Sequence, residues 1–131
     1  MSQDSLPKNK IPIIRVPARP SDLNEGGTVF GGWIMSQVDI AGSIPAAIAA
    51  GGTIVTRAVD AFEFKKPVFA GDLVSCFAEI VKVGKTSITV SVEVFAERMT
   101  QQGVMTSLKV TQARLVYVAI DEKGKPRVIS K

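Results

Sequence analysis

Apolar and polar positions alternate one by one from Ser87 to Glu97. Ile88, Val90, Val92 and Val94 fall on one side, and Thr89, Ser91 and Glu93 on the other. A period of two, with β-branched residues on the apolar side, predicts a strand with one face against a core. Thr53–Phe64, Leu73–Val83 and Leu108–Ile120 are similarly rich in Val, Ile, Thr and Phe and are predicted as strands. Ile11–Val16 reads as a first strand, with Pro12 favouring an edge or a strand start. Ala70-Gly71-Asp72 turns the chain, and Val83–Thr86 fits a tight hairpin with Gly84-Lys85 as its central residues. Residues 99–107 read as a polar loop and 121–126 as a charged turn. Strands joined by such short connections pair antiparallel.

One stretch breaks the alternation. Trp33–Ala50 is eighteen residues of mostly Ile, Met, Val and Ala, with Asp39 as its only charge. It predicts a helix about 27 Å long, ended by Gly51-Gly52 as a C-cap. Pro45 lies inside and removes the bond to the Ala41 carbonyl, so the helix kinks there or breaks. An all-round apolar helix is a buried one. Ser36, Asp39 and Ser43 share a face, giving a narrow polar stripe with one acid at its middle. A carboxylate deprived of water needs partners, and that makes Asp39 the first place to look for chemistry. The loop before it supports this. Gly31 and Gly32 lack a Cβ and admit a ligand close to the backbone. The unpaired N–H groups of a helix start stabilise negative charge, so Gly32 N–H could serve a developing oxyanion. Asn24, upstream in the same loop, offers an amide donor and an acceptor, or it simply closes a turn.

Composition narrows the chemistry. The chain has 131 residues, 46% hydrophobic and 21% charged, which suits one globular domain over 11–131 behind a flexible polar N-terminus, 1–10. It has no histidine, which excludes Ser-His-Asp and Cys-His mechanisms within one chain; together with a single cysteine it disfavours zinc, so no metal is expected. Acid–base work falls to carboxylates. The net charge of +4 comes without a basic cluster interleaved with aromatics, so no nucleic acid partner is expected. Cys76 cannot form an internal disulfide, which suits the cytoplasm, and residues 1–10 lack the apolar core of a signal peptide. Asp39 and Pro45 argue against membrane insertion of the helix.

Asn24, Gly27, Phe30, Gly31, Gly32, Trp33, Met35 and Asp39 form the run N-x-x-G-x-x-F-G-G-W-x-M-x-x-x-D. This run resembles the hotdog-fold acyl-CoA thioesterases, and closely the YciA-like bacterial ones. The resemblance continues through Phe64–Val68, Gly71-Asp72, Gly84–Ser87 and Tyr117–Ala119, covering Ile11 to Pro126. The pattern of elements gives an α+β class; the resemblance adds the hotdog fold, one long central helix wrapped by a curved antiparallel sheet. It implies hydrolysis of an acyl-CoA thioester to a free acid and CoA. Asp39 would be general base or nucleophile, Gly32 the oxyanion donor, and Asn24 would orient water or substrate from the facing subunit. Phe30, Gly31 and Thr56 would line the pocket. A basic rim for the CoA phosphates would come from Lys66 and the Gly84-Lys85-Thr86-Ser87 turn. No cofactor is implied beyond CoA as part of the substrate and product. The family unit is a homodimer with sites between subunits, and YciA-like members often assemble as trimers of dimers, hexamers.

One departure concerns Arg57. The family often carries an arginine at the position of Ala58, and strict alternation would point Arg57 to the other sheet face, so that role is not carried over. Asp60 and Asp72 read as structural, the first in a strand-face pair and the second in the Gly-Asp turn. Two other readings compete: a non-catalytic acyl-CoA-binding hotdog module, marked by loss of the helix acid, and a hydratase or dehydratase, which uses a histidine this chain lacks. The acyl chain length is left open.

Overall fold

The computed structural model describes residues 4–130, and the side chains of all of these except Ala61 and Phe62. Five strands and one long helix follow in order: β1 (Ile14–Pro17), α1 (Gly31–Ala50), β2 (Ile54–Phe64), β3 (Leu73–Val83), β4 (Ser87–Met99) and β5 (Met105–Ala119). The strands form one antiparallel sheet in the order β1-β3-β4-β5-β2. The three central strands are consecutive hairpins, as their short connections require. α1 packs against this sheet.

The alternation in β4 is realised in full: Ile88, Val90, Val92 and Val94 are all buried in the core that α1 covers, with Leu115 and Tyr117 from β5. Beyond Val94 the register slips by one residue, and Phe95 joins the opposite face, edge-on to Phe77 at 5.8 Å. The segment read as a flexible N-terminus is tied down at Asp4, whose N–H donates to the Ser107 carbonyl at 2.9 Å and whose Oδ2 accepts from Lys109 N–H at 2.7 Å.

Several boundaries move. The helix starts at Gly31, two residues before Trp33, and runs through Pro45 without a break. Gly51 ends it at φ 68°, its N–H reaching back to the Ala47 and Ile48 carbonyls, while Arg127 donates to the Ala50 carbonyl at 2.8 Å. The hairpin tip is Lys85-Thr86, one residue on from Gly84-Lys85, because Gly84 N–H and the Ser87 carbonyl close it at 2.7 Å. The loop expected over 99–107 shrinks to 100–104, since Met105, Thr106 and Ser107 pair with Met99, Arg98 and Glu97. Polar residues continue the ladder there because Glu97, Arg98 and Met99 lie opposite them. The first strand is shorter than Ile11–Val16 and lies at an edge.

By length and apolarity α1 would suffice to cross a bilayer, contrary to the expectation from Asp39 and Pro45. It lies on the sheet instead, and only half dressed. Ile34, Val38, Ala41, Ala46 and Ala50 are buried, whereas Ile40, Ile44 and Ile48 are 51%, 40% and 77% exposed. The expected all-round burial fails within one chain because a single sheet covers one side of a helix.

Candidate active site

Asp39 sits near the middle of α1, half-buried where the helix crosses β2 and β5. Two hydroxyls reach it from paired positions on those strands. Thr56 and Tyr117 are cross-strand partners, so their side chains arrive on one face together. Thr56 Oγ1 donates to Asp39 Oδ1 at 2.7 Å. The Tyr117 hydroxyl lies 2.8 Å from the Asp39 main-chain carbonyl and 3.2 Å from Oδ1. Asp39 Oδ2 has no protein partner among the described residues. One oxygen of the carboxylate is therefore held, and the other is open.

Tyr117 is fully buried. Burial first, then the nearby Asp39 charge and the hydrogen bond to it, push its ionisation well above the usual phenol range. It thus stays a protonated donor at any working pH. Its hydroxyl fits only because residue 42 is glycine: a Cβ there would stand 2.5 Å from the Tyr117 oxygen.

The expected polar stripe reduces to Asp39. Ser36 donates to the Gly32 carbonyl at 3.0 Å and Ser43 to the Ile40 carbonyl at 2.7 Å, both on their own helix. Such back-bonding is the ordinary habit of helix serines.

The helix start is open. Gly32 is exposed, and a Cβ there would meet nothing within 4 Å. Its N–H belongs to the first turn and has no acceptor within the helix. Gly31 is close-packed, since a Cβ there would meet the Phe64 ring at 3.1 Å; Phe30 is 54% exposed. Asn24 closes its own loop: its amide donates to Thr28 Oγ1 at 3.1 Å, its Oδ1 accepts from Thr28 N–H at 3.3 Å, and its N–H reaches the Thr28 carbonyl at 2.7 Å.

The chain does not bring these parts to one point. Gly32 and Asp39 are two turns apart, roughly 10 Å along the axis. Among the described residues no hydrogen bond links Asn24 to Asp39. Lys66 lines a surface cleft with Gly31, Ile34 and Phe64 near the helix start. The Lys85 hairpin stands at the other end of the sheet: Lys65 N–H bonds the Val110 carbonyl, and Thr86 C=O accepts from Ala119 N–H. Nine residues of β5 separate those points, about 30 Å of strand. Lys66 and Lys85 of one chain therefore cannot grip the same phosphate.

Arg57 falls at an irregularity of β2. Thr56 pairs with Tyr117 and Ala58 with Val116, which leaves Arg57 as the extra residue of a bulge. Alternation does not carry across a bulge, so the face of Arg57 cannot be counted from Ala58. Asp60 pairs in register with Arg114. Asp72 is structural as read: Oδ2 accepts from Phe69 N–H at 2.9 Å and from Arg98 at 2.8 Å.

Sequence reasoning assigned no role to Gly42 and placed Tyr117 only within a strand. The available signal was a glycine inside a helical pattern, which calls for a close neighbour, and the chain has a single tyrosine.

The sequence profile of the Thioesterase superfamily matches residues 26–102. The chain is similar to the acyl-CoA thioester hydrolase YciA of Salmonella typhimurium, 41% identical over 126 residues, with 96% of this chain and 94% of the relative covered. Among solved structures it is similar to a hexameric hotdog fold thioesterase of Campylobacter jejuni, with a TM-score of 0.87, 45% identity, 91% of this chain and 90% of that one covered. It is also similar to a Staphylococcus aureus acyl-CoA hydrolase solved with butyryl-CoA, CoA and CoA disulfide, with a TM-score of 0.78, 28% identity, 88% and 69% covered. That hydrolase has also been solved with one aspartate and with one asparagine replaced by alanine, the latter in complex with CoA. The helix-on-sheet architecture, the glycine loop leading to a hydroxyl-anchored aspartate and these matches together place the chain in the hotdog-fold acyl-CoA thioesterases, within the YciA-like bacterial group.

Proposed function

We propose that the protein hydrolyses acyl-CoA thioesters at a site where Asp39 of one subunit meets Gly32 and Asn24 of another. The observation that carries this is the Asp39 carboxylate, anchored through Oδ1 and open at Oδ2. As general base, Oδ2 takes a proton from water as the water oxygen bonds the thioester carbon. The carbonyl oxygen becomes an oxyanion facing Gly32 N–H. Collapse then breaks the C–S bond, and the proton passes to the departing CoA sulfur. As nucleophile, Oδ2 attacks the carbon itself, expelling CoA thiolate, and water then cleaves the resulting anhydride. Both routes use the same oxygen.

Distance supports a shared site. A base and an oxyanion donor acting on one carbonyl must both lie about 3 Å from it, and the two turns between Gly32 and Asp39 forbid that within one helix. Packing supports it too. β1 is four residues long and ends at Pro17, a blunted edge. β2 is eleven residues long, carries Thr56, and leaves its outer edge open. Pairing two copies along β2 about a two-fold axis would close that edge and cover Ile40 and Ile44. The ends of the two strands exchange in such a pair, so one copy's Lys66 and the other copy's hairpin, with Gly84 to Ser87, come to the same end of the joined sheet. The hexameric state of the Campylobacter relative agrees with a homo-oligomer, and a trimer of dimers is the assembly we favour. In the S. aureus relative the replaced asparagine and aspartate have the same sequence separation as Asn24 and Asp39. A non-catalytic binding module would have no use for a positioned acid with a free oxygen. The buried free thiol of Cys76 is in keeping with a cytoplasmic enzyme.

The decisive test is Asp39→Asn, assayed for CoA release from several acyl-CoAs. Turnover should fall at least about a hundredfold, with acyl-CoA binding kept; near-normal hydrolysis would sink the assignment. The shared site is tested by mixing inactive Asn24→Ala and Asp39→Ala proteins under subunit exchange. Part of the activity should return, because a mixed dimer holds one intact site. Exchange confirmed by mass with no recovery rules the arrangement out.

A further inference from the structure

We infer that Tyr117 is a positioning residue for the Asp39 carboxylate, holding it so that Oδ2 alone faces the substrate. The inference rests on the reading of Asp39 given above. A carboxylate on a helix can turn about its terminal torsion, which is broad rather than locked. Oδ1 lies off the axis of that torsion, so hydrogen bonds to it oppose the rotation. Asp39 Oδ1 accepts from Thr56 at 2.7 Å and shares the single proton of the Tyr117 hydroxyl, 3.2 Å away, with the Asp39 main-chain carbonyl. The same hydroxyl lies 2.8 Å from the Asp39 main-chain carbonyl. Tyr117 thereby relates the side chain of Asp39 to its own backbone, and Thr56 relates it to the sheet.

Three features indicate that the position is built for this hydroxyl. Tyr117 is the only tyrosine in the chain, and it is completely buried with its oxygen aimed at one helix residue. The helix gives up a side chain at Gly42 to admit that oxygen, since a Cβ there would stand 2.5 Å from it; glycine in a helix interior is otherwise unfavourable. Finally, a purely space-filling role would be met by phenylalanine, without burying a hydroxyl that then needs a partner.

The test uses the assembled enzyme with Tyr117→Phe, Thr56→Val and the double variant, measuring kcat and KM from CoA release. Tyr117→Phe keeps the ring and should lower kcat about tenfold, the scale of one lost hydrogen bond, with KM unchanged. Thr56→Val should behave alike. Two bonds that fix one oxygen act as a unit, so the double variant should lose little beyond either single one. A double variant whose loss is the product of the two would mean that Tyr117 acts independently of the carboxylate. A folded Tyr117→Phe with wild-type kcat, or one that raises KM or fails to fold, would equally overturn the inference and leave Tyr117 a packing residue. Failure of the underlying reading looks different: Asp39→Asn would then stay active, whatever Tyr117→Phe does.

Discussion

The two faces of α1 have similar composition and opposite fates. Toward the sheet, Ile34, Val38 and Ala41 are buried against β-branched residues of β4; away from it, Met35, Ile40, Ile44 and Ile48 stand in water. The sheet repeats the contrast. β4 and its neighbours are dressed on the core face, while Val55 and Val59 of β2 remain 43% and 41% exposed. The inner face is finished by the chain that carries it. The outer face, continuous with an open strand edge, is left uncovered by its own chain and is the face proposed above to meet a second copy. Asp39 lies half-buried on the boundary between the two, as the proposed shared site requires.

A charge placed on each face of α1 should have opposite consequences. Val38→Glu should prevent folding, since an unpaired carboxylate cannot be buried there. Ile44→Glu should leave a folded chain by circular dichroism that sediments as a smaller species and has lost at least about a hundredfold in activity, as expected if each half-site lacks its catalytic partner. A fully active assembly of Ile44→Glu would show that the outer face is not an interface.

The inner face is sharpened at Gly42. Gly42→Ala drives a methyl into the Tyr117 hydroxyl and should cost about 1–3 kcal/mol in denaturant unfolding, the range for overpacking. In a Tyr117→Phe background the penalty should shrink, because the nearest atom is gone; the ring carbons at 3.3 Å keep it from vanishing.

Alkaline pH probes the same face. Burial pushes the Cys76 thiol from 9.0 up to about 12, and Tyr117 rises from 10.0. Both folded values lie above the unfolded ones, so their contribution is fully present below about pH 9. It is lost as pH rises and the unfolded chain sheds protons that the folded one keeps. Each group should remove up to about 1.4 kcal/mol per pH unit above its unfolded value. Melting temperature followed from pH about 8 to about 11 should fall, and Cys76→Ala should flatten the first part of the fall; an unchanged slope would place the loss elsewhere.

The smallest effect concerns the outer rim. Lys66→Ala should raise KM for acyl-CoA several-fold with little change in kcat, since a phosphate contact is similar in the ground and transition states. Raised salt should weaken the wild type more than the variant. A short thioester without the nucleotide should be hydrolysed equally by both; unequal rates would place Lys66 in the fold or the chemistry.

Much of this was legible in one dimension because its causes are local. Alternation from Ile88 to Val94 predicted the strand and its buried face, and Gly51 predicted the helix end. The run from Asn24 to Asp39 carried the family, its loop glycines and its acid. Boundaries were missed where pairing overrides composition, as at Met105–Ser107, whose polar residues join the ladder because Glu97–Met99 lie opposite. The face of Arg57 was not legible, because alternation counts residues and a bulge adds one without leaving a mark in the sequence.

Residue types and spacing along the chain determined that there would be one apolar helix with a single acid, a β-rich remainder and no histidine chemistry. Only the tertiary structure decided what holds that acid. Thr56 and Tyr117 are sixty-one positions apart, and they meet at Asp39 because β2 and β5 pair in that register. It also decided that Gly32 and Asp39 of one helix cannot serve one carbonyl, and that Lys66 and Lys85 stand at opposite ends of the sheet. Spacing in sequence measures contour length, and catalysis depends on distance in space. The fold sets that distance through register, and in the arrangement proposed above a second chain closes the remaining gap.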